Sequence, residues 1–291
     1  MEYLQFVYAV EKSLKKIVDE SVTIEVQKVM KNNNTEKIGL LMSEEGYNMS
    51  PTIYLEEYYK QYQEEVPVCE IAEKVLEVYH EVKVEKKWDV AFLDDYESIR
   101  GKIVYKVIHA KRNEKMLSEV PHTHYLDLVI VCYLLWDMDG MGTGSILVND
   151  SLLKHWDVTK ETVFCDAKKN TERLLPATFK TMSQVIKDLV PIFETPREEF
   201  LYVLTNEKKY FGAACLLYEG ILKAIGEQLN DNFYVIPSSI HEVLIVPESS
   251  GMKRPSLEAL LNDVNETQMD VEDVLSDRVY YYVRSADRLI L

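Results

Sequence analysis

Residues 124–148 read HYLDLVIVCYLLWDMDGMGTGSILV, and they contain the clearest strand pair in the 291-residue chain. The segment His124–Trp136 is almost continuously apolar, as a buried strand is. Asp137–Gly144 is rich in aspartate and glycine, which favour turns, and Ser145–Val148 returns as a second strand. The sequence therefore predicts an antiparallel hairpin in the middle of the chain.

On either side of this hairpin, apolar spacing and turn residues predict a mixture of helices and strands. The predicted helices span 3–19, 53–63, 68–82, 151–156, 159–174, 178–190, 213–229 and 257–264. The predicted strands span 22–26, 38–42, 102–109, 124–136, 145–148, 199–204, 233–236, 242–246 and 279–283. Because this order lacks a regular β-α-β rhythm, it favours an α+β fold with antiparallel hairpins, packed helices and a mixed sheet, without the Rossmann-like arrangement.

The length of 291 residues suits one large domain or two modest ones. Residues 111–115 are the most charged stretch of the middle of the chain, and Pro121 closes it. We therefore expect an N-terminal α+β region over 1–118 and a C-terminal α+β domain over 119–291, with one continuous domain as the alternative.

Acidic residues are concentrated in two segments, and the net charge is −16. Residues 44–97 contain 15 acidic and 5 basic side chains, and residues 258–277 contain 7 acidic and no basic ones. Such segments repel phosphate backbones, so we expect no direct binding of nucleic acid. They attract a basic protein partner, although a solvated acidic face explains the same pattern.

The predicted helix 68–82 places four glutamates, Glu70, Glu73, Glu77 and Glu81, in a row on its solvent side. A metal-binding or catalytic pair of carboxylates would have to point into a pocket instead. The row therefore predicts a solvated face.

Four cysteines occur in apolar stretches without a Cys-x-x-Cys pair, which is typical of a reducing compartment. The apolar N-terminal segment 1–10 contains Glu2 and no basic residue, unlike a signal peptide. The longest apolar run, 128–136, is too short to cross a bilayer. We expect a cytoplasmic protein that needs no disulfide, does not enter a membrane, and is a monomer or a small homo-oligomer.

Three patterns are candidates for ion or nucleotide sites. Asp137-x-Asp139-Gly140 would open a calcium loop, but the twelfth position is Val148 rather than glutamate, which favours the hairpin turn. His122-x-His124 with Asp127 is the best candidate metal cluster, yet zinc requires further ligands that the sequence does not bring close, and a surface loop is the alternative. The glycines after 139 lack the Gly-Lys-Ser/Thr of a phosphate loop. We expect no metal and no cofactor.

The candidate catalytic residues are Ser239, His241 and Glu242, in a polar turn between two apolar strands. A Ser–His–acid relay requires these groups to converge in space, which sequence neighbours seldom do. The alternative is that a serine hydroxyl caps the turn.

Four segments resemble a family of bacterial proteins, a domain of unknown function frequent in gut clostridia. They are His124–Val131, Asn170–Pro176, Tyr234–Pro247 and Asp277–Tyr282. The likeness extends over nearly the whole chain, and 156–247 is more distantly similar to a second such family of bacilli. The resemblance implies a bacterial cytoplasmic protein with an α+β fold and implies no activity.

The sequence leaves two function classes open. A protein-interaction or regulatory protein with acidic surfaces, such as an inhibitor of a nucleic-acid enzyme, is favoured. An enzyme with a small-molecule site near residues 237–242 is the alternative, and a concave pocket with convergent polar groups would favour it.

Overall fold

The computed structural model describes residues 1–47, 50–83, 91–137, 143–190 and 200–291. The chain folds into two compact units. Unit 1 comprises Met1–Lys31 and Thr35–Ala91, and unit 2 comprises Asn32–Asn34 and Phe92–Leu291.

Unit 1 packs three helices against a small antiparallel sheet. In chain order its elements are α1 (Tyr3–Leu14), β1 (Val22–Met30), β2 (Glu36–Glu44), β3 (Thr52–Tyr54), α2 (Glu56–Gln63) and α3 (Val68–Val82). The sheet order is β1-β2-β3. Helices α1 and α3 form because each has an apolar stripe at helical spacing, and each buries that stripe in the core of the unit.

Unit 2 contains two sheets and seven α-helices among the described residues. Its strands are β4 (Ile103–His109), β5 (His122–Tyr125), β6 (Leu128–Asp137), β7 (Thr143–Leu147), β8 (Ala177–Thr181), β9 (Tyr202–Asn206), β10 (Phe233–Ile236), β11 (Val243–Pro247), β12 (Tyr280–Val283) and β13 (Arg288–Ile290). Its helices are α4 (Tyr96–Ile99), α5 (Glu114–Leu117), α6 (Asp150–His155), α7 (Lys160–Leu174), α8 (Met182–Leu189), α9 (Ile221–Leu229) and α10 (Arg254–Thr267). Short 3₁₀ turns connect several of them, including Gly212–Leu217.

The smaller sheet of unit 2 has the order β4-β6-β5, with β7 also paired to β6, and the larger one has the order β13-β12-β10-β11-β9-β8. The α+β class is confirmed. All pairings between the described strands are antiparallel, so the sheets differ from the mixed sheet expected from the sequence. The expected boundary between 118 and 119 lies inside unit 2, between β4 and β6, whose residues pair from Ile103↔Leu134 to His109↔Leu128.

Polar side chains attach α7 to the smaller sheet. The Thr171 hydroxyl accepts a hydrogen bond from the Tyr105 amide at 3.0 Å, and the Asn170 amide donates to the Ile103 carbonyl at 3.0 Å. One turn earlier, Asp166 accepts hydrogen bonds from Tyr96 Oη at 2.9 Å and Arg100 Nε at 3.0 Å. The longest helices described, α3 and α7, have 15 residues each, and no described helix is both long and apolar enough to span a membrane.

Two predicted elements are interrupted. The strand predicted over 124–136 is wrong, because Leu126 has a φ of 55° and turns the chain between β5 and β6. The helix predicted over 213–229 is also wrong, because Gly220 adopts a φ of 72° and separates the 3₁₀ turn from α9. Left-handed backbone cannot continue a right-handed helix.

The helix predicted over 178–190 is shorter than expected, because residues 177–181 form β8. Strand β8 pairs with β9 along five positions, from Ala177↔Asn206 to Thr181↔Tyr202. Thr181 then caps α8, since its hydroxyl accepts a hydrogen bond from the Gln184 amide at 3.2 Å. The pairing with a distant strand therefore replaces the first turn of the predicted helix.

Candidate functional site

The polar turn Pro237–Glu242 connects β10 to β11 and is held by the segment 273–276. The Ile240 amide donates to the Asp273 carbonyl at 2.9 Å, and the Leu275 amide donates to the Ser238 carbonyl at 3.2 Å. Ser238 and Ser239 are buried by these contacts. The turn is therefore a fixed part of unit 2.

Ser239 and His241 lie together, but their contact is made through the backbone. Ser239 Oγ accepts a hydrogen bond from the His241 amide at 3.0 Å, as in a capped turn. His241 Nδ1 accepts from the Phe211 amide at 3.4 Å, and Nε2 lies 3.5 Å from Asp273 Oδ1. Among the described residues, no hydrogen bond joins Ser239 Oγ to a ring nitrogen of His241. This geometry corresponds to the capping alternative for Ser239.

Glu242 lines a cleft of about 360 Å³, and neither Ser239 nor His241 belongs to its lining. The lining residues are Thr178, Lys180, Val185, Asp188, Val203, Thr205, Asn206, Glu207, Lys209 and Glu242. They come from β8, α8, β9, the loop that follows β9, and the end of the polar turn. We call this concavity the β8–β9 cleft.

The register of the larger sheet explains why these residues meet. Thr178 pairs directly with Thr205, and Lys180 pairs with Val203, so the four side chains share one face. Val243 pairs with Leu204, which places the preceding Glu242 beside Thr205. The Thr205 hydroxyl donates to the His241 carbonyl at 2.7 Å and fixes this end of the turn.

The charges of the β8–β9 cleft are only partly paired. Lys180 Nζ lies 2.8 Å from Asp188 Oδ2, and this hydrogen bond and charge hold the pKa of Asp188 below its ordinary value. Lys209, Glu207 and Glu242 form no ion pair within the part of the chain that the structure describes. Polar and charged groups thus converge in one concavity, which is the arrangement that a ligand site requires.

The candidate metal residues lie on β5 and in the turn after it. The rings of His122 and His124 are edge to face with centroids 5.4 Å apart, and His122 Nδ1 is 2.8 Å from the Val120 carbonyl. Asp127 instead accepts hydrogen bonds from Ser276 Oγ and Tyr280 Oη, both at 2.6 Å. Within the described ranges, no three His, Cys, Asp or Glu side chains are grouped to hold a metal ion. Residues 138–142 of the candidate calcium loop, which include Asp139 and Gly140, lie outside the described residues.

The row of glutamates on α3 is exposed as predicted. Glu70, Glu73, Glu77 and Glu81 all face solvent, while Ile71, Ala72, Val75 and Tyr79 of the same helix are buried. Lys74 is paired with Glu70 at 3.0 Å. We call these four glutamates the α3 acidic row.

A tyrosine-lined concavity of about 470 Å³ adjoins the start of α3 in unit 1. Its lining residues are Met1, Tyr59, Tyr62, Gln63, Glu65, Val66 and Pro67. The rings of Tyr59 and Tyr62 are stacked with centroids 6.1 Å apart, and both contact Phe6 of the core. Packing against Phe6 fixes the two rings at the edge of the concavity.

Lys106 is a buried charged residue that the sequence patterns did not single out. Lys106 lies in the middle of β4 and is only 6 % exposed. Its Nζ is 4.3 Å from the ring centroid of Tyr133 and 4.5 Å from that of Phe211, distances at which an ammonium group is attracted by aromatic rings. The available signal was a lysine at the centre of the apolar run 103–108.

Comparison with known families gives one match over residues 3–284, to a family described as "Family of unknown function (DUF5688)". No curated protein and no solved structure matches the chain.

Proposed function

This chain belongs to the DUF5688 family, and we propose that unit 1 binds a basic segment of a protein partner through the α3 acidic row. We place this role in the bacterial cytoplasm. The resemblance to clostridial proteins supports the bacterial origin, and the free cysteines at all four positions are typical of a reducing compartment.

The observation that supports this proposal most directly is the exposure of four like charges on one side of one helix. Glu70 and Glu81 are eleven residues apart, so the α3 acidic row extends over roughly 16 Å at 1.5 Å per residue. Like charges at helical spacing destabilise the helix that bears them. An exposed row of like charges, although it destabilises the helix, attracts and orients a partner of opposite charge.

The tyrosine-lined concavity provides a second feature for the same partner. The stems of lysine and arginine pack on aromatic rings, and their charged ends are attracted to the ring face. Tyr59 and Tyr62 present such rings, and Glu65 supplies a carboxylate in the same lining. Pro67 of the lining directly precedes α3. A basic side chain bound in the tyrosine-lined concavity would therefore place the adjacent residues of the partner segment next to the α3 acidic row.

The partner class that fits this row best is a protein with a basic face that normally binds nucleic acid, because the row would imitate the phosphate backbone. Phosphates and glutamates both present rows of anionic oxygens, and both attract arginine forks. We therefore propose, as the more specific form of the function, inhibition of a nucleic-acid enzyme by occupation of its basic face.

The test is a binding titration with a fluorescent 12-residue peptide of lysine, arginine and glycine, followed by anisotropy at low and high salt. One variant replaces the α3 acidic row with glutamine, and a matched control replaces four exposed acidic residues of unit 2. The control positions are Glu227, Asp263, Glu266 and Asp270. We expect the row variant to bind at least ~10-fold more weakly and the control to bind like the natural protein. Equal losses in both variants would show only unspecific charge attraction and would contradict the proposal.

The second candidate function is an enzyme that acts on a small molecule at the Pro237–Glu242 turn, with Ser239, His241 and Glu242 as site residues. The β8–β9 cleft beside Glu242 is the observation that favours it. If His241 is catalytic, His241→Ala should leave the melting temperature nearly unchanged and abolish turnover. If His241 only accepts the Phe211 hydrogen bond, the variant should lose on the order of 1 kcal/mol of stability.

A further inference from the structure

One face of the larger sheet changes from apolar to polar along its width. Near β10 and β11 this face is covered by α10, and Ile236, Val246, Leu257 and Leu261 form a small core there. At the other end, toward β8, the same face presents Thr178, Thr205 and Lys180. Threonine hydroxyls and a lysine add nothing to an apolar core, so this end of the face is suited to contact with a polar molecule.

Three elements enclose the polar end of this face. Helix α8 supplies Val185 and Asp188, and the turn before β11 supplies Glu242. The end of β9 and the loop after it supply Asn206, Glu207 and Lys209. The resulting volume of about 360 Å³ lies at the small end of the range for ligand pockets. A molecule of few heavy atoms fits it, whereas a nucleotide or a folded partner does not.

Only two of the charged side chains that line this cleft pair with each other among the described residues. Lys180 and Asp188 neutralise one another at 2.8 Å, which leaves Lys209, Glu207 and Glu242 without an ion-pair partner in the described chain. Glu242 is partly buried, and a partly buried carboxylate is stabilised by a cation that replaces its lost hydration. The ammonium group of Lys209 would in the same way stabilise a carboxylate at the opposite end of a ligand.

We propose that the β8–β9 cleft binds a small zwitterion, an α-amino acid, whose ammonium group faces Glu242 and whose carboxylate faces Lys209. The Thr178 hydroxyl of the floor hydrogen-bonds either group, and Val185 and Val203 contact a small side chain. A ligand with only one of the two charges would leave either Lys209 or Glu242 unpaired. This proposal does not depend on partner binding by unit 1. It rests on the second candidate function only in naming the ligand of the same region, and it requires no catalysis.

The test is isothermal titration of the full chain with L-serine, L-alanine and L-valine at concentrations up to ~10 mM, a range in which weak small-molecule binding is measurable. Propionate and ethylamine, which each have one of the two charged groups, serve as half-ligands. We expect one site per chain for at least one amino acid and at least ~10-fold weaker binding of both half-ligands. No saturable binding of any amino acid, or equal binding of a half-ligand, would overturn the proposal.

Site-directed variants locate the binding. Glu242→Gln and Lys209→Gln should each weaken amino-acid binding at least ~10-fold, and Glu242→Asp should retain part of it. Lys208→Gln is the matched control, because Lys208 is an exposed neighbour that does not line the cleft. Unchanged binding in both cleft variants would overturn the assignment. Amino-acid binding by the natural protein without any turnover of the bound amino acid would preserve this proposal and refute the enzymatic one.

Discussion

Gly212 is the position where a single methyl group should be most harmful to unit 2. A Cβ at Gly212 would overlap Thr205 Oγ1 and the His241 carbonyl oxygen, and it would approach the Asn206 amide nitrogen at 3.0 Å. Two of these three atoms belong to the backbone and cannot rotate away. The Gly212→Ala substitution must therefore displace the 3₁₀ turn from β9 and from the polar turn.

The expected loss of stability follows from this crowding. Overpacking of this kind costs about 1–3 kcal/mol. Displacement also weakens the 2.7 Å hydrogen bond from Thr205 to His241, which contributes about 1 kcal/mol. We expect a total of about 3 kcal/mol, which lowers the melting temperature of a domain of this size by about 6–12 °C.

Thermal unfolding followed by tryptophan fluorescence and near-ultraviolet circular dichroism measures this loss. Gly101→Ala is the matched control, because a Cβ at Gly101 meets no atom within 4 Å. The backbone at Gly101 does not require glycine, so we expect the free energy of unfolding of Gly101→Ala to change by no more than about 0.5 kcal/mol or to rise slightly. If Gly212→Ala and Gly101→Ala melt at the same temperature, the close approach around Gly212 does not exist in solution.

Asp166→Asn should lower the free energy of unfolding by about 2 kcal/mol in urea titrations, since Arg100 and the Tyr96 hydroxyl lose a charged acceptor. Burial acts to raise the pKa of Asp166, but these hydrogen bonds hold it below its ordinary value, so its stabilising effect is full above pH ~4 and is lost as the pH falls. Equal pH dependence in the variant and the natural protein would contradict this role. Burial raises the pKa of the Cys215 thiol to about 12, and Cys132 is also fully buried. A thiol reagent should therefore label two cysteines of the folded protein and four after unfolding, and melts with and without reductant should agree. Random duplex DNA or RNA should show no micromolar retention in a gel shift, and salt-sensitive retention at that level would refute the charge argument.

Local patterns predicted the parts of the fold that depend on residues close in sequence. The helix predicted over 159–174 is α7 at Lys160–Leu174, and the exposed glutamates of α3 are confirmed. Both follow from apolar spacing within one element, which the sequence displays directly. The turn at Leu126 had no such signal, because leucine seldom adopts a positive φ and is held there by the surrounding structure.

The candidate site was predictable only where its residues are neighbours in the chain. Glu242 was identified from its position in a polar turn between strands. Lys180 and Lys209 were not, because the register of β8, β9 and β11 brings them to Glu242, and that register joins segments far apart in sequence. Single-sequence patterns do not determine such long-range pairing.

The buried Lys106 connects the folding of the smaller sheet to a segment much later in the chain. Strands β4 and β6 are close in sequence, so we expect their pairing to form early. The Lys106 ammonium group lies 4.5 Å from the ring centroid of Phe211, so we expect its burial to be complete only when that later segment has packed onto β4. We therefore expect the backbone amides around Lys106 to show hydrogen exchange in the same cooperative unit as residues 206–217. This unit should become ordered later than the rest of the β4–β6 pair.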